Sequence, residues 1–195
     1  MRLIFATNNR HKIEEIRSVI GDMLEIITLE EAGIDIDIPE PHNTLQENAS
    51  EKSRIIYELT NTNCFSEDTG LEVDALNGEP GVHSARFGGE ERSIDKNIEK
   101  LLSKLQGNLD RKARFRTFLS LRMDGKEFLF EGICRGKIIE HMRGKMGFGY
   151  DPVFIPDGAV KTFAEMNLEE KNQYSHRKKA MDKMVVFLNH VLNNQ

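Results

Sequence analysis

Cys64-Phe65-Ser66-Glu67-Asp68-Thr69-Gly70-Leu71-Glu72-Val73-Asp74 is the stretch on which the fold turns. An apolar lead-in, Cys64-Phe65, runs into two adjacent carboxylates, a hydroxyl and a glycine. Beyond them Leu71, Val73 and Ala75 alternate with Glu72 and Asp74, the pattern of a half-buried strand. Read this way, Glu67 and Asp68 stand at the mouth of a strand. That is a poor place for a core and a good one for a divalent ion, and Gly70 permits a tight turn there. Asn77-Gly78 and Pro80-Gly81 add two turn signals. A surface turn with solvated acids fits this stretch equally well, so the flanking chain decides.

Upstream, residues 2–6 are an apolar strand that passes through Thr7-Asn8-Asn9-Arg10-His11-Lys12 into a helix marked by Ile13, Ile16 and Ile20. Asn8 or Asn9 caps it. Free N–H groups at a helix start bind phosphate, and Lys12 adds a full charge. The Walker pattern is absent, and a plain cap is the commoner meaning of such a turn. Residues 25–29 form a second strand. Pro39 and Pro41 hold Glu40 in a rigid extended segment. Thr44 and Glu47 form a capping box that opens a helix over 45–59. Its apolar face is Leu45, Ala49, Ile56 and Leu59; Lys52, mid-helix, reads locally as solvated.

Downstream, Ile94, Ile98, Leu101, Leu102 and Leu105 mark an amphipathic helix. Residues 113–123 alternate apolar positions with Arg114, Arg116 and Arg122. Asp124-Gly125 then turns the chain into a returning strand over 127–135, a β-hairpin, and Ile138-Ile139 extends the sheet. Gly144-Lys145-Met146-Gly147-Phe148-Gly149-Tyr150-Asp151-Pro152 sets two aromatics in a glycine-rich loop. Exposed, they suit stacking on a planar ligand, with Asp151 accepting from a base edge; packed inward, they make a plain turn. Thr162 with Glu165 and Asn167 with Glu170 read as helix starts. Ser175 caps a last helix whose apolar face is Ala180, Met184, Phe187, Leu188 and Val191. His176 and Arg177 fall in its first turn, where positive charge opposes the dipole unless an anion or polar ligand edge is near. A solvent-facing pair is the alternative.

The chain has 195 residues, 38% hydrophobic and 30% charged, as a soluble globular protein has. We read it as one domain over 1–195. No run of about 20 apolar residues is present to span a bilayer. The net charge of −5 argues against general nucleic-acid binding. Cys64 and Cys134 lie far apart in apolar runs and read as reduced core thiols. The N-terminal apolar stretch is too short for a signal peptide, so a cytoplasmic protein is expected.

Taken together, the sequence closely resembles the inosine triphosphate pyrophosphatase family. The resemblance spans essentially the whole chain. It is carried by Ala6-Thr7-Asn8-Asn9-Arg10-His11-Lys12, Glu67-Asp68-Thr69-Gly70-Leu71, Gly81-Val82-His83-Ser84-Ala85-Arg86-Phe87, Gly147-Phe148-Gly149-Tyr150-Asp151-Pro152, and Glu170-Lys171-Asn172 with Ser175-His176-Arg177. It implies an elongated α/β fold with a mixed sheet flanked by helices, and two lobes with a nucleotide cleft between them. It implies a homodimer that uses Mg²⁺ to hydrolyse ITP, dITP and XTP to monophosphate and pyrophosphate. By the same resemblance, Thr7, Asn8, Asn9, Arg10, His11 and Lys12 form the phosphate-binding turn. Glu40 and Asp68 are the metal-associated acids, with Asp68 also the base or water-orienting carboxylate. Thr69 is a substrate hydroxyl, and Lys52, Arg86 and Lys171 are cationic contacts. Phe148, Gly149, Tyr150 and Asp151 form the base-binding loop, and His176 and Arg177 read the purine edge. Many relatives carry Asp-Asp-Ser-Gly where this chain has Glu67-Asp68-Thr69-Gly70. The rival readings are a Maf-type pyrophosphatase, against which the Ser175-His176-Arg177 ending speaks, and a non-catalytic nucleotide-binding module, against which Glu40, Asp68 and Lys171 speak.

Overall fold

The computed structural model describes residues 1–20 and 24–193. In chain order the elements are β1 (Arg2–Phe5), α1 (Arg10–Ile20), β2 (Glu25–Thr28), α2 (Leu45–Thr60), β3 (Cys64–Val73), β4 (Pro80–Gly81), α3 (Ile94–Lys104), β5 (Lys112–Met123), β6 (Lys126–Ile138), β7 (Phe154–Pro156), α4 (Leu168–Asn172) and α5 (His176–Asn193). The protein is thus α/β, with a mixed sheet. Among the described residues the strand order is β2-β1-β3-β5-β6-β7, with β4 paired to β3 off this path. β1 pairs in parallel with both β2 and β3, whereas β3/β4 and β6/β7 are antiparallel. No helix among the described residues is long and apolar enough to cross a membrane.

The chain divides into two compact units: Met1–Asp68 with Thr117–Gly132 and Arg177–Gln195, and Thr69–Arg116 with Ile133–His176. β3, β5 and β6 each supply residues to both. In the first unit, strand alternation sorts the core onto two faces. Leu3 and Phe5 join Ile13 and Ile16 of α1 and Met184 and Leu188 of α5. Ile4 and Ala6 join Ile56 of α2 and Cys64. Phe5 and Phe65 stack at 4.4 Å. The core of the second unit gathers Leu71, Val73, Ile98, Leu101, Phe115, Phe154 and Phe163.

Most of the expected elements are present, and the hairpin turn is carried by Asp124 and Gly125, both at positive φ. Three expectations change. Glu67 and Asp68 do not end a strand: β3 runs through them to Val73, and Gly70 continues it rather than turning. Leu59 and Ile94, placed on apolar faces, are exposed in the terminal turns of α2 and α3. Tyr150 is buried, its hydroxyl donating to the Ser84 carbonyl at 2.9 Å, so its ring is part of the core rather than an exposed stacking surface. Both cysteines are buried thiols outside any disulfide, and burial pushes the Cys64 thiol up to about 12.

Candidate active site

Because Glu67 and Asp68 are neighbours inside β3, their side chains leave opposite faces of the strand. Asp68 shares parity with Cys64 and Ser66, whose Sγ and Oγ donate to the Ser53 and Ala49 carbonyls of α2. It therefore points at α2. Glu67 shares parity with Phe65, which packs with α1 and α5. The two acids are thereby given separate partners.

On the α2 face, Lys52 Nζ donates to Asp68 Oδ1 at 2.9 Å and to Glu40 Oε1 at 2.7 Å. This corrects the local reading of Lys52: it is 6% exposed, buried because two carboxylates compensate it. Desolvation alone would lower its pKa, but Asp68 and Glu40 raise it. Burial pushes Glu40 up, and the Lys52 charge and hydrogen bond more than offset this and hold it low. Burial lifts Asp68 above the usual carboxylate range and the Glu40 charge adds to this, with Lys52 and Lys12 pulling back. One acid of the pair is thus held ionised and the other is made more basic.

On the opposite face, Glu67 is fully buried. Arg177 Nε and Nη2 donate to its two oxygens at 2.6 and 2.9 Å, and Lys12 Nζ lies 2.9 Å from Oε1. Arg177 Nη1 also donates to Glu15, a buried acid of α1. Burial would raise the Glu67 pKa, but the Arg177 and Lys12 charges hold it far below the ordinary range. The solvent-facing alternative for His176 and Arg177 is excluded, since both are buried.

The turn before α1 is shaped by its own side chains. Asn9 N–H donates to Thr7 Oγ1 and Lys12 N–H to Asn9 Oδ1, each at 3.2 Å, so Asn9 is the cap. Asn8 Nδ2 donates to the Ile36 carbonyl. The first turn of α1 carries no acid, and Arg10, His11 and Lys12 crowd its positive end.

The second unit holds the remaining candidates. Asp151 Oδ2 accepts from Phe148 N–H at 2.9 Å and from Lys171 Nζ at 2.5 Å. Lys171 sits over the rings of Phe148 and Phe163, 5.3 and 5.1 Å from their centroids. His176 stacks on Phe115 at 4.8 Å. Phe148 is half-buried, and Gly147 and Gly149 bend the loop at positive φ. Arg86 lies on a 3-10 turn, Ser84–Arg86, that α3 holds through Asn97: its Nδ2 donates to the Ala85 carbonyl at 3.0 Å and its Oδ1 accepts from Gly88 N–H. The Arg86 guanidinium has no ion-pair partner among the described residues. Thr69 follows Asp68 in β3 and is half-buried.

The expected site residues thus fall into two groups. Thr7 to Lys12, Glu40, Lys52, Asp68 and Arg177 belong to the first unit; Thr69, Arg86, Phe148 to Asp151, Lys171 and His176 belong to the second. Glu15 and Asn97 were not legible as members. Glu15 follows Lys12 by three residues, one helical turn on the same face, which is the signal that points to it.

Glu40 and Asp68 present hard oxygen donors converging on one cation. That set suits Mg²⁺, which takes one or two carboxylates and completes its shell with water and phosphate oxygens. Among the described residues no group of three or more His, Cys, Asp and Glu is arranged to hold a metal unaided.

Known proteins resemble this chain over nearly its whole length. The sequence pattern of the Ham1 family matches residues 3–187. A dITP/XTP pyrophosphatase of Porphyromonas gingivalis is 49% identical over 188 residues, covering 96% of this chain and 97% of that protein. One from Flavobacterium johnsoniae is 46% identical over 188 residues, covering 96% and 98%. Among solved structures, the Ham1 protein of Staphylococcus aureus matches with a TM-score of 0.88 at 39% identity, covering 97% of this chain and 99% of that chain. The chain belongs to the Ham1 family.

Proposed function

We propose that the protein hydrolyses deaminated purine nucleoside triphosphates (ITP, dITP and XTP) between the α- and β-phosphates, releasing nucleoside monophosphate and pyrophosphate. The observation that carries this reading is the Glu40–Lys52–Asp68 cluster, its lysine and aspartate buried, in a Ham1-family chain. Mere binding of a nucleotide has no use for an acid whose burial makes it a better base.

In this reading water attacks the α-phosphorus and its proton passes to Asp68. A new P–O bond forms as the bond to the oxygen bridging the α- and β-phosphorus breaks, and that electron pair leaves with pyrophosphate. Glu40 and Asp68 would hold Mg²⁺, which when bound draws charge from the phosphates. Lys52 keeps Glu40 ionised and orients Asp68. The turn from Thr7 to Lys12 takes phosphate oxygens: its acid-free first turn carries three basic residues that an anion would relieve. Lys12 meets growing charge on the leaving group while Glu67 fixes its position.

Base reading is assigned to the second unit. Phe148 offers a ring face, Asp151 and Lys171 brace it, Gly149 shapes the loop, and Arg86 supplies an unopposed positive charge. Thr69 offers a hydroxyl. The resemblance gives the purine edge to His176 and Arg177. Three Arg177 nitrogens donate to carboxylates, so in this proposal its main work is to hold Glu67, and His176 carries the edge. Deaminated purines bear a 6-keto oxygen that accepts, where adenine has an amino group that donates. Buried donors left unpaired against adenine discriminate by factors of about 10⁴.

Gly147 tests the loop assignment. A Cβ there would lie 2.1 Å from Asp151 Oδ2, the atom that ties Phe148 to Lys171. Gly147→Ala is expected to raise KM for ITP roughly 10-fold with a smaller change in kcat; steady-state kinetics beside wild type decide it, and an unchanged KM contradicts the assignment.

As the resemblance implies, we also propose a cytoplasmic homodimer, with two buried thiols outside any disulfide suited to a reducing compartment. We read the chain as one domain, since three strands serve both units. A pyrophosphate-release panel tests the function. Rates on ITP, dITP and XTP should exceed that on ATP by about 100-fold or more, with GTP, which shares the 6-keto oxygen, run beside them. Preference for modified pyrimidine triphosphates would instead support a Maf-type enzyme, and absence of release on every substrate a non-catalytic module.

A further inference from the structure

Asn48 lies on α2 one turn before Lys52 and is 1% exposed. Its amide grips the backbone of His42 twice: Oδ1 accepts the His42 N–H at 2.9 Å, and Nδ2 donates to the His42 carbonyl at 3.2 Å. Turning the amide over would face donor to donor and acceptor to acceptor, so one orientation alone satisfies both pairs. Spacing of four residues puts Asn48 and Lys52 on one side of the helix.

Glu40 stands two residues before His42, between Pro39 and Pro41. Pyrrolidine rings fix φ on both sides, so the position of the His42 backbone is transmitted to Glu40 with little slack. Residues 34–41 belong to no helix or strand; Ile36 and Ile38 pack against the core and Asn8 holds the Ile36 carbonyl upstream of Glu40, and the Asn48 clamp fixes the chain on the downstream side. A second tie, His42 Nε2 to Glu51 at 3.9 Å between partly exposed side chains, is long and solvated and contributes little.

We propose that Asn48 is a positioning residue for hydrolysis: it docks the Pro39-Glu40-Pro41-His42 segment on α2 and so sets the Glu40 carboxylate against Lys52 and Asp68. The inference rests on the role given to Glu40 above. Asn48 acts through Glu40 and touches no reacting atom.

The test is a double-mutant cycle read by kcat/KM on ITP, with amide exchange followed by NMR on the free enzyme. Asn48→Ala should lower kcat/KM about 10-fold in the wild-type background and less than about 2-fold when Glu40→Gln is already present. In Asn48→Ala the His42 amide should lose protection while Ile56, on the same helix, keeps it. Equal losses in both backgrounds, or unchanged exchange at His42, overturn the proposal. Wild-type kcat/KM in Glu40→Gln overturns the role of Glu40 itself, and the exchange data then report separately whether the clamp exists. If Asn48→Ala fails to fold, Asn48→Asp keeps the acceptor for His42 N–H and should show the same background dependence with a smaller loss; additive losses in that variant also overturn the proposal.

Discussion

Asp68→Asn is expected to lower kcat by about 10³-fold, within the range a general base supplies, while leaving the melting temperature unchanged or slightly raised. The two halves of this expectation have one cause. Asp68 is 6% exposed and shares Lys52 with Glu40. Burial and the neighbouring carboxylate push its pKa up, which favours proton uptake from water and makes the ionised side chain a burden on the fold. Folding raises this pKa, so the folded state binds the proton more tightly, and the ionised form detracts from stability above that pKa. The asparagine carbonyl still accepts from Lys52 without bringing a charge. Kinetics on ITP and a circular dichroism melt check both halves. Activity within 10-fold of wild type would remove Asp68 from the role of base.

Arg177→Met carries the largest expected effect on stability, a loss of about 3–5 kcal/mol, the size seen when one partner of a buried charge cluster is removed. Glu67 is fully buried between Arg177 and Lys12, and Arg177 also serves the buried Glu15. Methionine fills the volume and leaves two carboxylates short of their main cation. The pH dependence gives the sign. In the wild type, Glu67 is held well below the ordinary range. Its contribution is therefore complete above the unfolded Glu pKa of about 4.3 and is lost only as pH falls below it. In Arg177→Met, burial dominates and raises that pKa, so the variant gains stability as pH falls. Urea midpoints of the two proteins should converge between about pH 7 and pH 5. Adding Glu67→Gln to Arg177→Met should recover part of the loss. A gap that stays constant with pH would mean that Glu67 does not depend on Arg177.

What the sequence disclosed follows the range of the interactions. Alternation of Leu71 and Val73, the turn at Asp124-Gly125 and the boxes at Thr162/Glu165 and Asn167/Glu170 are set by neighbours a few residues apart, and the structure forms all of them. Lys52 was misread because its burial depends on acids 12 and 16 residues away; a lysine on a helix carries no local mark of such compensation. Glu67 and Asp68 read as acids at the mouth of a strand, rather than inside it, for the same reason. Their cations come from α1, α2 and α5, and a buried charge is tolerable only once those helices have packed. Glu15 reads as a solvated acid until Arg177, 162 residues on, reaches it. Asn48 was silent in a further way. Its partner is backbone, which any residue at position 42 other than proline supplies.

The central claim, water attack at the α-phosphorus, is tested most directly by turnover of dITP in H₂¹⁸O with mass analysis of both products. One ¹⁸O per turnover is predicted in the nucleoside monophosphate and none in pyrophosphate. Label in pyrophosphate, or release of orthophosphate in its place, would contradict the account.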